Sequence, residues 1–102
     1  MPKYNKLIRD LIPDLIAAHG NQAQIQVLEE AAYVTALRQK LYEEVAEFDE
    51  SGEVEELADI LEVVYALAQQ MGIERADLEA IRREKATRRG GFAKRLFLVE
   101  TT

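Results

Sequence analysis

The feature that most limits how this chain can fold is a pair of long helical patterns separated only by Ser51-Gly52. The first pattern runs over Glu30–Glu50 and carries an apolar stripe at three- and four-residue steps. The second runs over Glu53–Met71, and its middle is apolar on nearly every side. Because the break is so short, the two helices should lie antiparallel as neighbours. One small chain can hardly cover the second helix alone, so the pattern predicts a partner subunit.

Two further helices are expected, one on each side of this hairpin. Tyr4–Gly20 repeats apolar residues at helical steps, and Pro13 predicts a kink or a break in its middle. Arg75–Arg89 is predicted to be another long helix, which stops at Gly90-Gly91. Since the chain has 102 residues and no internal repeat or linker, residues 1–102 are expected to form a single domain.

Two short stretches are less regular. Residues 25–27 and 95–99 are rich in apolar side chains, and their pattern does not decide between loops and a short two-stranded element. The expected fold class is therefore all-α. In this expectation a helical hairpin forms the core, and dimerisation completes it into a four-helix bundle. The sequence does not decide whether a short two-stranded element forms near the C-terminus.

The composition excludes several kinds of function. Cysteine is absent, so the chain has no disulfide, thiol nucleophile or thiolate metal site. The net charge of −6 argues against binding to nucleic-acid polymers, which requires a basic face. No apolar run approaches the roughly 20 residues needed to span a bilayer, and Met1–Asp10 is too charged for a signal peptide. We therefore expect a cytoplasmic protein with no membrane partner.

Four acidic residues form two pairs at helical spacing, one pair on each side of the turn. Glu44 and Glu47 lie three residues apart on the first helix, and Glu56 and Asp59 do so on the second. Residues three apart share a helix face, so each pair points its carboxylates in one direction. Positions equidistant from the turn lie side by side, which places Glu47 beside Glu56. Glu44 faces Asp59 by the same reasoning, and all four carboxylates are expected to converge.

Glu44 and Glu56 also take positions in the helix seams where apolar residues are expected. Carboxylates packed this closely repel one another, and a divalent cation removes the conflict. Mg²⁺, or Mn²⁺ in its place, suits oxygen ligands and often takes part of its shell from substrate phosphates. The sequence thus predicts a metal site whose ligands are Glu44, Glu47, Glu56 and Asp59. A solvated acidic hairpin is the competing interpretation, and Glu62 is a candidate for the edge of the site.

Three basic residues near the end of the last helix suit a phosphate group. Lys85, Arg88 and Arg89 share one edge just before Gly90-Gly91. Arginine can hold phosphate oxygens with two parallel hydrogen bonds. Cations are also favourable at any helix C-terminus, which is the competing explanation.

Other polar residues are less specific candidates for phosphate, nucleotide or catalytic contacts. Lys40 lies one turn before Glu44, and an ion pair with that carboxylate is favoured over a phosphate contact. Asn5 and Arg9 share a face near the start and are candidate nucleotide contacts, although a solvated face explains them equally well. His19, the single histidine, sits beside Gly20 at a helix end, where a capping or surface role is favoured over catalysis.

Three segments together resemble a known family. Lys40–Glu47 followed by Glu55–Leu61 is similar to the E-E-x-x-E and E-x-x-D signature of the all-α nucleotide pyrophosphohydrolases, the MazG-like superfamily. Tyr4–Pro13 resembles the start of small stand-alone MazG-like proteins, and Lys85–Phe92 resembles a segment near their end. The resemblance touches most of the chain. The spacer between the acidic pairs is short for the family, and no base pocket can be identified.

This resemblance implies a helical dimer, or a dimer of dimers, that cleaves a nucleoside triphosphate between the α and β phosphates. The products would be a nucleoside monophosphate and pyrophosphate, and the cofactor would be Mg²⁺. It implies the metal ligands already named, a role for Glu43 in orienting a ligand or the attacking water, and phosphate contacts from the basic trio. The alternatives are phosphoribosyl-ATP pyrophosphohydrolase and a non-catalytic helical regulatory or nucleotide-binding module. Tyr4–Pro13 favours the stand-alone group over the former.

Overall fold

The computed structural model describes residues 3–102 and contains four helices within them. They are α1 (Ile12–Ala18), α2 (Glu30–Ser51), α3 (Val54–Gln70) and α4 (Arg75–Arg89). No strand occurs in the described part of the chain, so residues 25–27 and 95–99 do not form the two-stranded element that the sequence left open. The all-α prediction is confirmed at this level.

The α2–α3 hairpin is the centre of the molecule, and its bounds match the periodicity to within a residue or two. Gly52 ends α2 in a left-handed conformation with φ of 68°, which costs glycine little. Its backbone N–H donates to the Phe48 carbonyl over 2.8 Å and so satisfies one of the last carbonyls of the helix. The chain then reverses within two residues, and α3 packs back along α2.

The prediction of one long helix over Tyr4–Gly20 is wrong. Only Ile12–Ala18 is helical, and Pro13 lies in its first turn rather than in its middle. A proline there costs no hydrogen bond, because the first N–H groups of a helix have no partner within it. The preceding residues 3–11 form a non-helical strap, in which Asn5 has a φ of 45°.

The last helix, α4, has the bounds that the sequence predicted and ends at Gly90. It packs against α3, and its first residues, Arg75 and Ala76, line a cleft together with residues of that helix. Beyond it, residues 92–102 run without helix or strand, and all of them are exposed.

Very little apolar surface is buried by one chain. Among residues 3–102 the buried apolar side chains are Leu37, Val63 and Ala68. The accessible surface is 9639 Å², whereas a folded monomer of this mass exposes about 5,800 Å². The radius of gyration is 17.9 Å, against about 13 Å for a compact domain of this length. Within the described residues, none of the helices combines the length and apolarity that crossing a bilayer requires.

Candidate metal centre

Glu44 is the one buried charged residue in the described part of the chain, with 6% of its surface exposed. It lies two helical turns after the buried Leu37 on the face of α2 that meets α3. Its Oε1 is 3.3 Å from the Lys40 ammonium. Its Oε2 is buried, and within residues 3–102 no donor reaches it. A buried carboxylate oxygen without a partner is costly, so this position needs an explanation.

Acids from both helices surround Glu44 in two overlapping groups. Glu44, Glu56 and Asp59 bring one carboxylate oxygen each to within 4.8 Å of one another, which confirms the predicted approach of Glu44 to Asp59. Glu43, Glu44 and Glu47 form the second group at the same spacing. Glu44 belongs to both groups and is therefore the hub of the cluster.

The four predicted ligands do not all converge at one point. Glu47 is exposed and belongs to a different group from Glu56. Glu47 directly precedes the part-buried Phe48, and at 100° per residue its side chain turns away from the seam. Glu43, which the resemblance implied only as an orienting residue, belongs to the second group together with Glu44 and Glu47.

The electrostatics of the cluster disfavour full ionisation. Burial raises the pKa of Glu44 above its ordinary value and the contact with the Glu47 carboxyl raises it further, while Lys40 acts in the opposite direction. Loss of hydration also raises the pKa of Glu56, and the charges of Asp59 and Glu44 add to this effect. The cluster therefore carries more negative charge than the protein alone compensates.

The arrangement fits a hard divalent cation. Carboxylate oxygens are the preferred ligands of Mg²⁺, whose octahedral shell places opposite oxygens about 4.2 Å apart. The oxygens of each group lie within 4.8 Å of one another, near enough for one cation to contact all of them. A cation held there would give Glu44 Oε2 the partner that it lacks. The donor set contains neither sulfur nor imidazole, so it does not favour zinc.

Three cations from other parts of the chain contact these acids. Lys40 lies 3.3 Å from Glu44 Oε1, which confirms the favoured ion pair, and 3.4 Å from Glu43 Oε1. Arg9, from the strap, places Nη2 2.6 Å from Asp59 Oδ1. Lys6 of the strap lies 3.4 Å from Glu43 Oε1. In this chain Arg9 is thus a partner of a predicted metal ligand as well as a candidate nucleotide contact.

A cleft of about 890 Å³ opens beside the cluster. Its wall includes Glu44 and Asp59 on the acidic side, with Arg9 and Lys40 next to them. Farther along, Arg75 lies over the Tyr65 ring at 4.4 Å from its centre and 3.9 Å from a Glu62 oxygen. Glu62 therefore lines the cleft but belongs to neither acidic group. Sequence reasoning missed Arg75, which opens α4 and carries no local signal beyond its charge.

The other predicted contacts lie elsewhere. Lys85, Arg88 and Arg89 occupy the far end of α4, whereas only the start of that helix lines the cleft. Arg88 Nε is 3.6 Å from Glu84 Oε1. Asn5 is exposed and outside the cleft wall. The His19 Nδ1 is 2.8 Å from the Leu15 carbonyl oxygen, in keeping with the predicted role at a helix end.

Comparison of this chain with protein-family models, with curated proteins and with solved structures finds no match. The resemblance to the MazG-like superfamily therefore stays a prediction.

Proposed function

We propose that this protein is a Mg²⁺-dependent nucleotide pyrophosphohydrolase, with Mn²⁺ as an alternative cation. It would cleave a nucleoside triphosphate, including non-standard ones, between the α and β phosphates. The observation that carries the proposal is the buried, unpartnered Glu44 Oε2 at the meeting point of two acidic groups. Such an oxygen is destabilising unless a ligand of the site satisfies it.

The chain's own acids divide the work of the site. Glu44, Glu56 and Asp59 would hold the cation across the hairpin, and Glu47 would complete the shell from the exposed side. Glu43, next to the hub, would accept a proton from a water molecule held at the acidic cluster, once its ion pairs with Lys6 and Lys40 open. When bound, the cation neutralises charge on the leaving phosphate and polarises the attacking water.

The nucleotide phosphates would meet positive charge on the cleft wall. Arg9 and Lys40 lie beside the acids and Arg75 lies farther along. Lys85, Arg88 and Arg89 belong to the proposed phosphate site but start nine residues beyond the part of α4 that lines the cleft. At 1.5 Å per residue this is about 14 Å or more. In our proposal they therefore serve the cleft of a second copy.

A homodimer, or a dimer of dimers, is part of the proposal. Its support is the surface area, which exceeds that of a folded monomer of this mass by roughly 3,800 Å². Obligate homodimers bury about 2,000–5,000 Å² over both subunits, and two chains together exceed the monomer value by roughly 7,600 Å², which is more than such an interface needs. Packing two hairpins together would give the four-helix bundle and would cover apolar residues of α3 that one chain buries only in part, such as Val64 and Leu67.

One observation favours a non-catalytic helical module instead. Arg9, Lys6 and Lys40 already form ion pairs with Asp59, Glu43 and Glu44. In a purely structural hairpin, the acids would serve to form these ion pairs and so hold the strap and α2 in place. They leave Glu44 Oε2 without a partner, however, and a module without metal chemistry would gain by an apolar residue there.

The deciding experiment is pyrophosphate release with Mg²⁺ from a panel of standard and damaged nucleoside triphosphates and phosphoribosyl-ATP. Glu56→Gln should abolish release, whereas Glu55→Gln, its exposed neighbour outside both acidic groups, should retain it. Cleavage of phosphoribosyl-ATP alone would assign the histidine-biosynthesis activity. Absence of release from every member, in protein whose melting temperature rises with Mg²⁺, would favour the module.

A further inference from the structure

The segment after α4 carries apolar side chains that nothing in the chain covers. We define residues 92–99 as the arm. Its five large apolar residues are between 77% and 98% exposed, and they are Phe92, Leu96, Phe97, Leu98 and Val99. The only backbone hydrogen bond from an arm residue within the described chain is local, from Arg95 N–H to the Phe92 carbonyl at 3.1 Å. Five apolar side chains left in water favour association strongly.

The hairpin carries an exposed apolar surface of its own. We define the hairpin patch as Tyr42 and Val45 of α2 together with Val54, Leu57 and Leu61 of α3, which are 47–74% exposed. At 100° per residue, the patch residues of each helix are turned about 100–160° from the acids of that helix. Tyr42 and Leu61 are equidistant from the turn and therefore lie at the same height along the hairpin. The patch is therefore separate from the metal centre.

Arm and patch complement one another in charge. The arm carries Lys94 and Arg95 between its apolar residues. The patch is bordered by Asp49, which follows Val45 by one turn on the same face of α2, and by Glu50 and Glu53 at the hairpin turn. A basic, apolar arm thus matches an apolar surface with an acidic border.

The surface area indicates that a second copy is the occupant. The excess of roughly 3,800 Å² per chain is too large for a monomer, and over two chains it is more than the about 2,000–5,000 Å² that an obligate homodimer buries in total. Each copy has one arm and one patch, so a two-fold axis allows both arms and both patches to be covered at once. A partner of another sequence would have to supply complements to both surfaces.

We propose that the arm of each copy docks on the hairpin patch of a second copy, forming an arm-exchanged homodimer. The inference rests on the homodimer proposed above and adds the segment that joins the subunits. It is independent of the hydrolytic chemistry, because the arm and the patch lie apart from the acidic cluster.

The absence of cysteine allows a direct test. Leu98→Cys in one tagged copy and Leu61→Cys in a differently tagged, co-expressed copy should be joined by a short bis-maleimide into a product carrying both tags. Leu98→Cys paired with Glu30→Cys, at the exposed start of α2 and about 18 Å along the helix from Tyr42, should give little of it. A chain carrying both Leu98→Cys and Leu61→Cys that links only within itself would overturn the exchange, because its arm then docks on its own hairpin.

A truncated chain ending at Gly91 provides a second measurement. Removing the arm should raise the dimer dissociation constant at least about tenfold in analytical ultracentrifugation, with the helix content unchanged by circular dichroism. An unchanged dissociation constant would overturn the role of the arm and leave the homodimer standing. A full-length chain that is monomeric at all concentrations would overturn both, and pyrophosphate release would still test the hydrolase separately.

Discussion

Arg9 Nη2 lies 2.6 Å from Asp59 Oδ1, so a residue of the strap is paired with a candidate metal ligand 50 positions away. Both side chains are partly exposed, at 56% and 37%. A cation that binds the acidic cluster must compete with this guanidinium for the same carboxylate. The pair therefore links the strap to the state of the metal centre.

Replacing Arg9 should tighten metal binding. Partly exposed ion pairs contribute about 0.2–1 kcal/mol, so Arg9→Gln should lower the Mg²⁺ dissociation constant about 1.5- to 5-fold in the absence of nucleotide. Isothermal titration calorimetry measures this directly. Arg38→Gln, an exposed change on α2 outside the cleft, is the control and should have no effect. Weaker binding by Arg9→Gln would show that Arg9 supports the metal centre instead of competing for it.

Glu44→Gln should stabilise the metal-free protein at neutral pH. The change removes a buried charge whose Oε2 has no partner in the described chain, and such a group costs about 1–3 kcal/mol. Each 1 kcal/mol corresponds to about 4–8 °C in melting temperature for a domain of this size. Scanning calorimetry with EDTA should show the increase. Glu50→Gln, at an exposed position near the end of the same helix, should change the melting temperature little.

With Mg²⁺ bound, the wild-type protein should instead have a higher melting temperature than Glu44→Gln. At a concentration a hundred times its dissociation constant, a ligand of the folded state stabilises it by about 2.7 kcal/mol. Wild-type protein should gain this stability, and Glu44→Gln should gain much less because it lacks the hub carboxylate. An equal gain in both proteins would remove Glu44 from the ligand set.

The advantage of Glu44→Gln without metal should depend on pH. Burial raises the pKa of Glu44 in the folded protein above its ordinary value of 4.5, so folding favours the protonated carboxyl. The cost of Glu44 is therefore fully present above the raised pKa, falls as pH drops through it, and vanishes below about 4.5. Melting curves from pH 4 to 8 should show the two proteins converging at the acid end. A difference that stays constant with pH would mean that ionisation of Glu44 is not its source.

Much of the fold could be predicted from periodicity. The bounds of α2, α3 and α4 follow from apolar spacing and from glycines at their ends. The start of α1 could not be predicted in this way, because the apolar spacing continues back through the strap. Pro13 was the better signal, since proline is favourable in the first turn of a helix and unfavourable in its interior. The strap also carries Asn5 with a positive φ, which no apolar pattern reveals.

The site was predictable where it depends on one hairpin. The seam position of Glu44 foretold its burial, and the turn foretold its approach to Asp59. The contacts of Arg9 and Arg75 depend on how the strap and α4 return to the hairpin, and neither path has a local sequence signal. Glu47 and Glu56 each group with Glu44 but fall in different groups, because distance from the turn gives the height of a side chain along the helices but not the direction in which it points.

The basic residues at the end of α4, Lys85, Arg88 and Arg89, allow a test of whether each active site combines residues from two copies. Arg88 and Arg89 lie too far along α4 to line the cleft of their own chain. If they bind phosphate across the proposed dimer, the double variant Arg88→Ala/Arg89→Ala should raise KM for the nucleotide and leave Mg²⁺ binding unchanged. Glu44→Gln alone should abolish turnover.

Mixing these two variants distinguishes assembly of the active site within one chain from assembly across the dimer. After subunit exchange in equal amounts, half of the dimers are mixed, and each mixed dimer has one site with intact acids and intact arginines from different copies. At nucleotide concentrations too low to support the arginine variant, activity should recover to about one quarter of the wild-type value. A matched mixture of Glu44→Gln with Glu56→Gln should stay inactive, because both changes fall in acids that one chain contributes to one site. No recovery in the first mixture, with exchange verified by tags, would place the arginines and the acids of each site on the same chain.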